Sequence, residues 1–166
     1  IDWLIVQELF KNQDSMFMSS VNLYRDKGQK MAMGPIWDFD LGAGNSNYGA
    51  IGGYALNDWH GWFPTYAPWY EGLFREAEFR AAFKARWNEV KGTLQAEVAA
   101  SITRQRALLA KSQKLNFQRW PVLGVGTWAT PPELLAANTW EAQVVALQVW
   151  VGNRFQWMDQ AINATY

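Results

Sequence analysis

Large apolar residues recur at helical spacing through the second half of the chain, and this periodicity sets the fold class. Phe79, Phe83, Trp87 and Val90 follow one another at intervals of four, four and three residues. Such spacing places all four side chains on one face of an α-helix. A second run, from Leu94 to about Leu115, has the same character, so we predict two core helices in this region.

Further helices are predicted, two toward the end of the chain and one at its start. In the segment TPPE, Thr130 is a suitable cap, Pro131 suits a first helical turn, and Glu133 stands where a capping box needs an acid. The last helix is then expected from about Thr139 to Ile162. A first helix is indicated by apolar residues at Trp3, Leu4, Val6, Leu9 and Phe10.

The segment between the first helix and residue 40 has the pattern of a β-hairpin. Two β-leaning runs flank the turn-forming RDKGQ in VNLYRDKGQKMAMGPIWDFD, so strands are predicted near 20–25 and 30–37. From Leu41 to Pro68 the chain is rich in glycine and aromatic residues, which predicts a long structured loop. The fold class expected from these elements is mainly α with one small β-hairpin.

Composition and charge exclude several classes of protein. The chain has 166 residues, of which 49% are hydrophobic, enough to bury one core in a single domain. Fifteen basic and fifteen acidic side chains balance, so a nucleic-acid or acidic-membrane partner is not expected. No apolar run reaches the ~18 residues that a membrane span needs. The lack of cysteine excludes thiol nucleophiles and cysteine-ligated metals.

A pair of acids in GPIWDFDLGAGN is the main candidate for chemistry. Asp38 and Asp40 follow the second predicted strand and precede a glycine-rich segment, so both carboxylates are expected at a strand end that a ligand can approach. Mg²⁺ and Mn²⁺ take one or two protein carboxylates and fill their remaining positions with water and phosphate oxygens. Asp14 begins the loop before the hairpin, which can bring it next to Asp38. This order of elements is typical of a protein-kinase C-lobe.

These segments also resemble a known family, the CotH family of spore-coat-type atypical kinases. The similarity is carried by ELFKNQDSMFMSSVNLYRDKGQKMAMGPIWDFDLGAGN and by the later FKARWNEVKG, NFQRWP and VWVGNRFQWMD. The family has a kinase-like fold and phosphorylates proteins with ATP and a divalent metal. The resemblance implies that Asp14 is the catalytic acid, that Asp38 binds Mg²⁺ or Mn²⁺, and that Asp40 is a second acid of the metal site.

The resemblance further implies how the chain is organised. Residues 1–166 are expected to form one domain, the C-lobe portion of a CotH-type kinase, with the nucleotide-binding N-lobe absent from this chain. Such a fragment is expected to be inactive by itself. The expected partner is a protein substrate, such as a coat or envelope protein. Ser19 stands where kinase catalytic loops have a metal-binding Asn, five residues after the catalytic Asp.

Two other functions stay open on the sequence. The first is a non-catalytic scaffold that binds a coat or envelope partner, which Ser19 and the absent N-lobe favour. The second is a glycoside hydrolase, which would need two carboxylates roughly 5–10 Å apart across a sugar. Asp38 and Asp40 would have to supply that pair, and the family resemblance argues against it.

Two other polar residues are expected to have structural roles. His60, the only histidine in the sequence, is expected to be structural or solvent-facing rather than a general base. Arg154 shares a helical face with Trp150 and Trp157, so it is expected to stack on an indole or to pair with an acid.

Overall fold

The computed structural model describes residues 1–17 and 19–166 and is mainly helical, as the sequence predicts. Its α-helices and strands are, in chain order, α1 (Asp2–Phe10), β1 (Leu23–Tyr24), β2 (Ala32–Met33), β3 (Ala50–Ile51), β4 (Tyr54–Ala55), α2 (Pro68–Leu73), α3 (Ala77–Leu109), α4 (Ser112–Arg119), α5 (Pro132–Ala136) and α6 (Trp140–Thr165). Short 3₁₀ helices occupy Gln13–Met16 and Pro64–Tyr66.

The core lies where α1 and the first half of α3 pack against α6. Trp87 is completely buried in α3 and stacks on Phe155 of α6, with ring centroids 6.0 Å apart. Its indole N–H donates to Asp159 at 3.0 Å. The helical face predicted from the spacing of large apolar residues is therefore the face that is buried.

The first helix after residue 76, α3, is longer than predicted and partly exposed. α3 is one continuous helix where two were predicted, and its fully buried residues, Phe83 and Trp87, both lie in its first half. Residues 95–109, and all of α4, are partly or fully exposed. The prediction of a second core helix from Leu94 to Leu115 is wrong. This stretch is rich in Ala, Leu, Gln and Arg, whose intrinsic helix propensity sustains α3 without burial.

The predicted hairpin is present but its strands are short. Leu23 pairs with Met33 and Tyr24 with Ala32 in antiparallel register, so the strands predicted at 20–25 and 30–37 are too long. Ser20 has a left-handed backbone with φ of 53°, which is incompatible with an extended strand and delays pairing until Leu23.

A second hairpin, β3 with β4, was not predicted from the sequence. Ala50 pairs with Ala55 and Ile51 with Tyr54. Gly52 and Gly53, which connect the strands, have φ of 58° and 84°, the backbone that a two-residue hairpin turn requires. The dipeptide Gly-Gly was the available signal within the segment that we expected to be a long loop.

The two predicted starts of the last helices have different outcomes. α6 begins as expected, because Thr139 caps it by accepting the N–H of Ala142 at 3.1 Å. The capping box at TPPE does not form: Pro131 precedes α5, and the Thr130 hydroxyl bonds with that of Thr127 at 2.6 Å. Glu133 instead accepts a hydrogen bond from the distant Asn57 at 3.1 Å.

Candidate active site

The loop that carries Asp14 is set by the end of α1. Lys11 ends the helix with a left-handed backbone, φ 48°, and Asn12 then caps the following 3₁₀ helix. The Asn12 side chain accepts the N–H of Asp14 at 3.2 Å, and the Asn12 carbonyl accepts the hydroxyl of Ser15 at 2.6 Å. These bonds fix the backbone of Asp14 at the exit of a buried helix.

The segment after Asp38 runs beside the same helix end. The N–H of Ala43 donates to the carbonyl of Phe10 at 2.6 Å, and the N–H of Gln13 donates to the carbonyl of Leu41 at 3.2 Å. Phe39 also meets Phe10 edge to face, with ring centroids 5.6 Å apart. The two loops that carry the candidate acids are therefore joined by backbone hydrogen bonds.

Asp14 and Asp38 converge on one hydroxyl group. Ser20 Oγ lies 2.7 Å from Asp38 Oδ2 and 3.1 Å from Asp14 Oδ2. The two carboxylate oxygens are therefore no farther apart than the sum of these distances. The indole N–H of Trp37 donates to the Ser20 carbonyl at 2.9 Å and holds the serine in place. The predicted meeting of Asp14 and Asp38 is confirmed.

Two of these three residues have a left-handed backbone. Ser20 and Asp38 have φ of 53° and 65°. Asp can adopt this conformation, whereas for Ser20 it costs about 1 kcal/mol or more. Such strain concentrates at functional sites, where the surrounding structure maintains it. Here the left-handed backbone turns the Asp38 carboxylate toward Ser20 and Asp14.

Asp40 lies next to this pair but faces a different space. Its side chain is exposed, with Oδ1 accepting the N–H of Leu41 at 3.0 Å. Partial burial, then the negative charge of Asp14 and that of Asp40, raise the pKa of the Tyr48 hydroxyl. Both acids therefore act on Tyr48, although Asp40 makes no hydrogen bond to Asp14 or Asp38 among the described residues.

Asp40 lines a broad cleft of about 1010 Å³ between the 39–45 segment, β4, α5 and α6. Asp58 and Glu133 add two further acids to its wall, and Trp150 forms part of its apolar floor. Gly44 touches this floor: a Cβ there would lie 2.6 Å from Trp150 Cδ1. The cleft is therefore shaped by a glycine that allows the loop to approach the tryptophan closely.

His60 is held at one side of this cleft. Its Nδ1 lies 2.7 Å from Asp58 Oδ1, which also accepts the His60 backbone N–H at 2.8 Å. The ring stacks on Tyr54, with centroids 5.6 Å apart. These contacts hold the imidazole by its neighbours, and they place it away from the Asp14–Asp38 pair.

The donors present suit a small divalent cation that is shared with phosphate. Asp14 and Asp38 offer two carboxylates at one point, and Mg²⁺ or Mn²⁺ at phosphate-transfer sites uses one or two carboxylates and completes its shell with water and phosphate oxygens. Residues 1–17 and 19–166 hold no cluster of three or more His, Cys, Asp or Glu side chains that could cage a metal. The two carboxylates are therefore compatible with a divalent cation that takes its other ligands from outside the protein.

A buried ion pair anchors the helix that leads to Asp14. Arg154 of α6 is completely buried, and its Nη2 lies 3.0 Å from Glu8 Oε2. The same guanidinium donates to the carbonyls of Glu8, Trp59 and Gly61 at 2.7 to 3.0 Å. It also lies 4.7 Å from the Trp157 ring centroid. The predicted pairing of Arg154 with an acid is confirmed, and its guanidinium packs on one indole, that of Trp157.

Glu8 connects this pair to the loop before α2. Its carboxylate accepts the backbone N–H of Phe63 at 3.1 Å and both the N–H and the hydroxyl of Thr65 at 2.7 and 2.6 Å. Burial raises the pKa of Glu8, and burial lowers the pKa of Arg154 to about 10. Such a pair is stable only because its hydrogen-bonding capacity is satisfied.

Lys11 ties a second loop to the same helix end. Its ammonium donates to the carbonyls of Ala55, Asp58 and His60 at 2.8 to 3.0 Å, so all three of its donors are satisfied. Burial, and the nearby positive charge of Arg154, lower the pKa of Lys11 to about 8. Three residues before Asp14, this lysine therefore links the loop that carries Asp14 to the cleft wall.

Comparison with protein families shows which family the chain belongs to. A family model described as CotH kinase protein matches residues 1–158, which include Asp14, Asp38 and Asp40. The chain belongs to the CotH kinase family. No match was found among curated proteins or among solved structures.

Membership of the CotH kinase family confirms the resemblance seen in the sequence. The family is kinase-like, which indicates the use of a nucleotide and a metal in general terms. The mainly helical fold with a small hairpin is consistent with that assignment. In the part of the chain that the structure describes, no helix is both long and apolar enough to span a membrane.

Sequence reasoning missed three residues that build this CotH site: Ser20, Glu8 and Lys11. The comparison with kinase catalytic loops pointed to Ser19, five residues after Asp14, and not to Ser20. Ser19 is exposed. Glu8 and Lys11 are charged residues inside the apolar pattern of the first helix, and a charge at a position that should be buried was the available signal. The partners of Glu8 and Lys11 are side-chain and backbone groups far along the chain, which no spacing rule identifies.

Proposed function

We propose that residues 1–166 form the C-lobe portion of a metal-dependent protein kinase that transfers phosphate from ATP to a protein hydroxyl. The observation that carries the proposal is the convergence of Asp14 and Asp38 on a single hydroxyl oxygen, that of Ser20. A site for phosphate transfer needs a carboxylate beside the acceptor hydroxyl and another beside the phosphates. Membership of the CotH kinase family supports the same conclusion.

Asp14 is assigned to the acceptor. It follows a rigid helix end and accepts a hydroxyl contact from Ser20 at 3.1 Å, which is the geometry for orienting an acceptor hydroxyl and taking its proton. Asp38 is assigned to the metal, with Asp40 as a second acid at the mouth of the cleft. When bound, Mg²⁺ or Mn²⁺ supplies positive charge that offsets the charge of the phosphates.

The rest of the ATP cradle is assigned to a region outside these residues. Phosphoryl transfer depends on positioning the nucleotide as well as the metal, and a C-lobe supplies part of that cradle. The acceptor is proposed to be a protein, such as a coat or envelope component, whose hydroxyl is presented to Asp14. Residues 1–166 alone are therefore expected to be inactive.

A scaffold function is the second candidate, and one observation favours it. Ser19 is exposed and stands where kinase loops have a metal-binding Asn, which leaves fewer ligands for a second metal. A scaffold would keep the cleft and its aromatic wall for binding while turning over no ATP. Glycoside hydrolysis is disfavoured because Asp40 faces the cleft whereas Asp38 faces Ser20.

Conversion of ATP to ADP by the complete protein tests this proposal. Turnover should require Mg²⁺ or Mn²⁺, and Asp38→Asn should lower it by at least about 100-fold. Asp26→Asn is the matched control, because Asp26 lies in the exposed turn of the first hairpin and should leave turnover unchanged. Equal turnover by the parent and Asp38→Asn, or no turnover by the parent, would favour the scaffold.

A further inference from the structure

We propose that Ser20 is itself a phosphate acceptor, so that the site modifies its own catalytic loop. This inference rests on the proposed kinase function and adds a modification site to it. The Ser20 hydroxyl occupies the position that an incoming acceptor would need, in contact with both Asp14 and Asp38. The nucleophile is therefore already present in the folded chain.

The geometry meets the needs of an acceptor hydroxyl. Ser20 has one hydroxyl proton, which it can donate to Asp38 Oδ2 at 2.7 Å or to Asp14 Oδ2 at 3.1 Å. Donation to Asp14 aligns the proton with the residue assigned to remove it. The Trp37 indole N–H donates to the Ser20 carbonyl at 2.9 Å. This contact positions the serine without engaging its hydroxyl oxygen.

The transfer is balanced with ATP as the co-reactant. Ser20 Oγ attacks the γ-phosphorus and forms a new P–O bond, while the bond between that phosphorus and the β,γ-bridging oxygen breaks. The electron pair of the broken bond leaves with ADP. The proton of the Ser20 hydroxyl passes to the Asp14 carboxylate. The product is phosphoserine in the catalytic loop.

The product is expected to limit its own formation. A phosphate on Ser20 adds up to two negative charges beside Asp14 and Asp38, and like charges in contact destabilise a folded site. Ser20 is half-buried and Ser19 next to it is exposed, so the modified loop has solvent on one side into which it can turn. One phosphate per chain, with slower later turnover, is therefore expected.

Phosphopeptide mapping of the complete protein tests the proposal. After incubation with Mg-ATP, the peptide containing Ser20 should carry phosphate, and both Ser20→Ala and Ser20→Gly should abolish that signal. Glycine suits the left-handed φ of 53°, so it removes the hydroxyl without added strain. Ser112→Ala, an exposed serine on α4, should leave the label unchanged, whereas Asp14→Asn should remove it.

A second readout follows from the added charge. The phosphorylated protein should melt at a lower temperature than the same protein treated with phosphatase, and Ser20→Gly should show no such difference. ADP formation without phosphate on Ser20 would overturn this inference and leave the kinase proposal standing. Neither ADP nor a labelled Ser20 would overturn both. A label that persists in Ser20→Gly would assign the acceptor to another residue and overturn the inference.

Discussion

At the scale of single residues, Asp14 and Asp38 share a contact but differ in their surroundings. Asp14 is held by the Asn12 cap at the end of a helix, whereas Asp38 is held by its own left-handed backbone. In the proposed mechanism, Asp14 orients the acceptor and Asp38 places a charge beside the nucleotide phosphates. Changing each acid to its amide should therefore impair a different step, phosphate transfer for Asp14 and Mg-ATP binding for Asp38.

The first prediction separates these two roles. In the complete protein, Asp14→Asn should lower phosphate transfer by about 10²–10⁴-fold while Mg-ATP still binds. Asp38→Asn should weaken Mg-ATP binding itself, because a neutral amide oxygen is a poorer ligand for a divalent cation. Asn tolerates the φ of 65° at position 38, so the fold should persist. Calorimetric titration measures binding, and thermal melts check folding.

Identical binding by the two variants would contradict this assignment. If Asp38→Asn bound Mg-ATP like the parent, the carboxylate would not be a metal ligand. If Asp38→Asn unfolded, its contact with Ser20 would be structural. Asp26→Asn serves as the control for the loss of one negative charge in an exposed turn.

The second prediction concerns the pH dependence of Lys11. Folded Lys11 loses its proton near pH 8, whereas the unfolded residue keeps its proton until about 10.5. The unfolded chain therefore binds more protons between pH 8 and 10.5, and the free energy of unfolding should rise with pH in that window. Relative to Lys11→Met, the parent should gain about 1–2 kcal/mol between pH 8 and 10. Urea denaturation at both pH values measures the gain, and parallel curves for parent and variant would contradict it.

At the scale of elements, the buried ion pair joins α1 to α6. The third prediction is that Arg154→Met lowers the free energy of unfolding by about 3–5 kcal/mol, because it leaves the Glu8 carboxylate buried without a partner charge. The double variant Glu8→Gln with Arg154→Met should recover part of this loss. Arg86→Met is the matched control, since Arg86 pairs with Asp2 on the surface, and its effect should be much smaller. Equal losses for Arg154→Met and Arg86→Met would exclude an anchoring role for the buried pair.

The fourth prediction concerns the uneven burial of α3. Residues 95–109 are partly or fully exposed, whereas Phe83 and Trp87 are completely buried. Local opening costs little free energy where few apolar contacts are lost. Backbone amides of residues 95–109 should therefore exchange with deuterium at least about tenfold faster than those of residues 83–90. Uniform protection along α3 would indicate that its second half is covered in solution.

The sequence predicted which elements exist better than where they end. Helical spacing identified α3 because Phe83 and Trp87 are buried, but exposed helix formers extended it beyond the buried face. β-propensity located the first hairpin and overestimated its strands. The first strand does not extend back to Ser20, because Ser20 has a left-handed backbone. Contacts with distant residues impose that backbone, so a local sequence pattern does not encode it.

At the scale of the whole molecule, the sequence predicted part of the site. The predicted hairpin correctly placed Asp14 beside Asp38, because the ends of two paired strands meet. Ser20 could not be predicted as their shared partner, since its contact depends on its left-handed backbone. Asp40 was grouped with Asp38 by its spacing and by the family resemblance, and the structure directs it into the cleft instead. Its role as a second metal acid stays a proposal.

The fifth prediction compares residues 1–166 alone with the complete protein. The isolated fragment should fold, because α1, α3 and α6 form one buried core, but it should not transfer phosphate at a measurable rate. The reason is that nucleotide positioning requires a cradle on both sides of the phosphates. Phosphate transfer to a protein substrate, followed for both samples at equal concentration, tests this. Equal rates would show that the fragment contains the whole active site.

Anomalous diffraction from crystals of the complete protein, soaked with Mn²⁺ and a non-hydrolysable ATP analogue, locates the metal directly. The proposed mechanism predicts an Mn²⁺ peak about 2–2.2 Å from an Asp38 carboxylate oxygen, bridging to phosphate, with Asp14 facing the acceptor side. Crystals of Asp38→Asn should lose the peak. A metal held instead by Asp40, Asp58 and Glu133 in the cleft, or no ordered metal beside Asp38, would contradict the assignment of Asp14 and Asp38 as the phosphate-transfer pair.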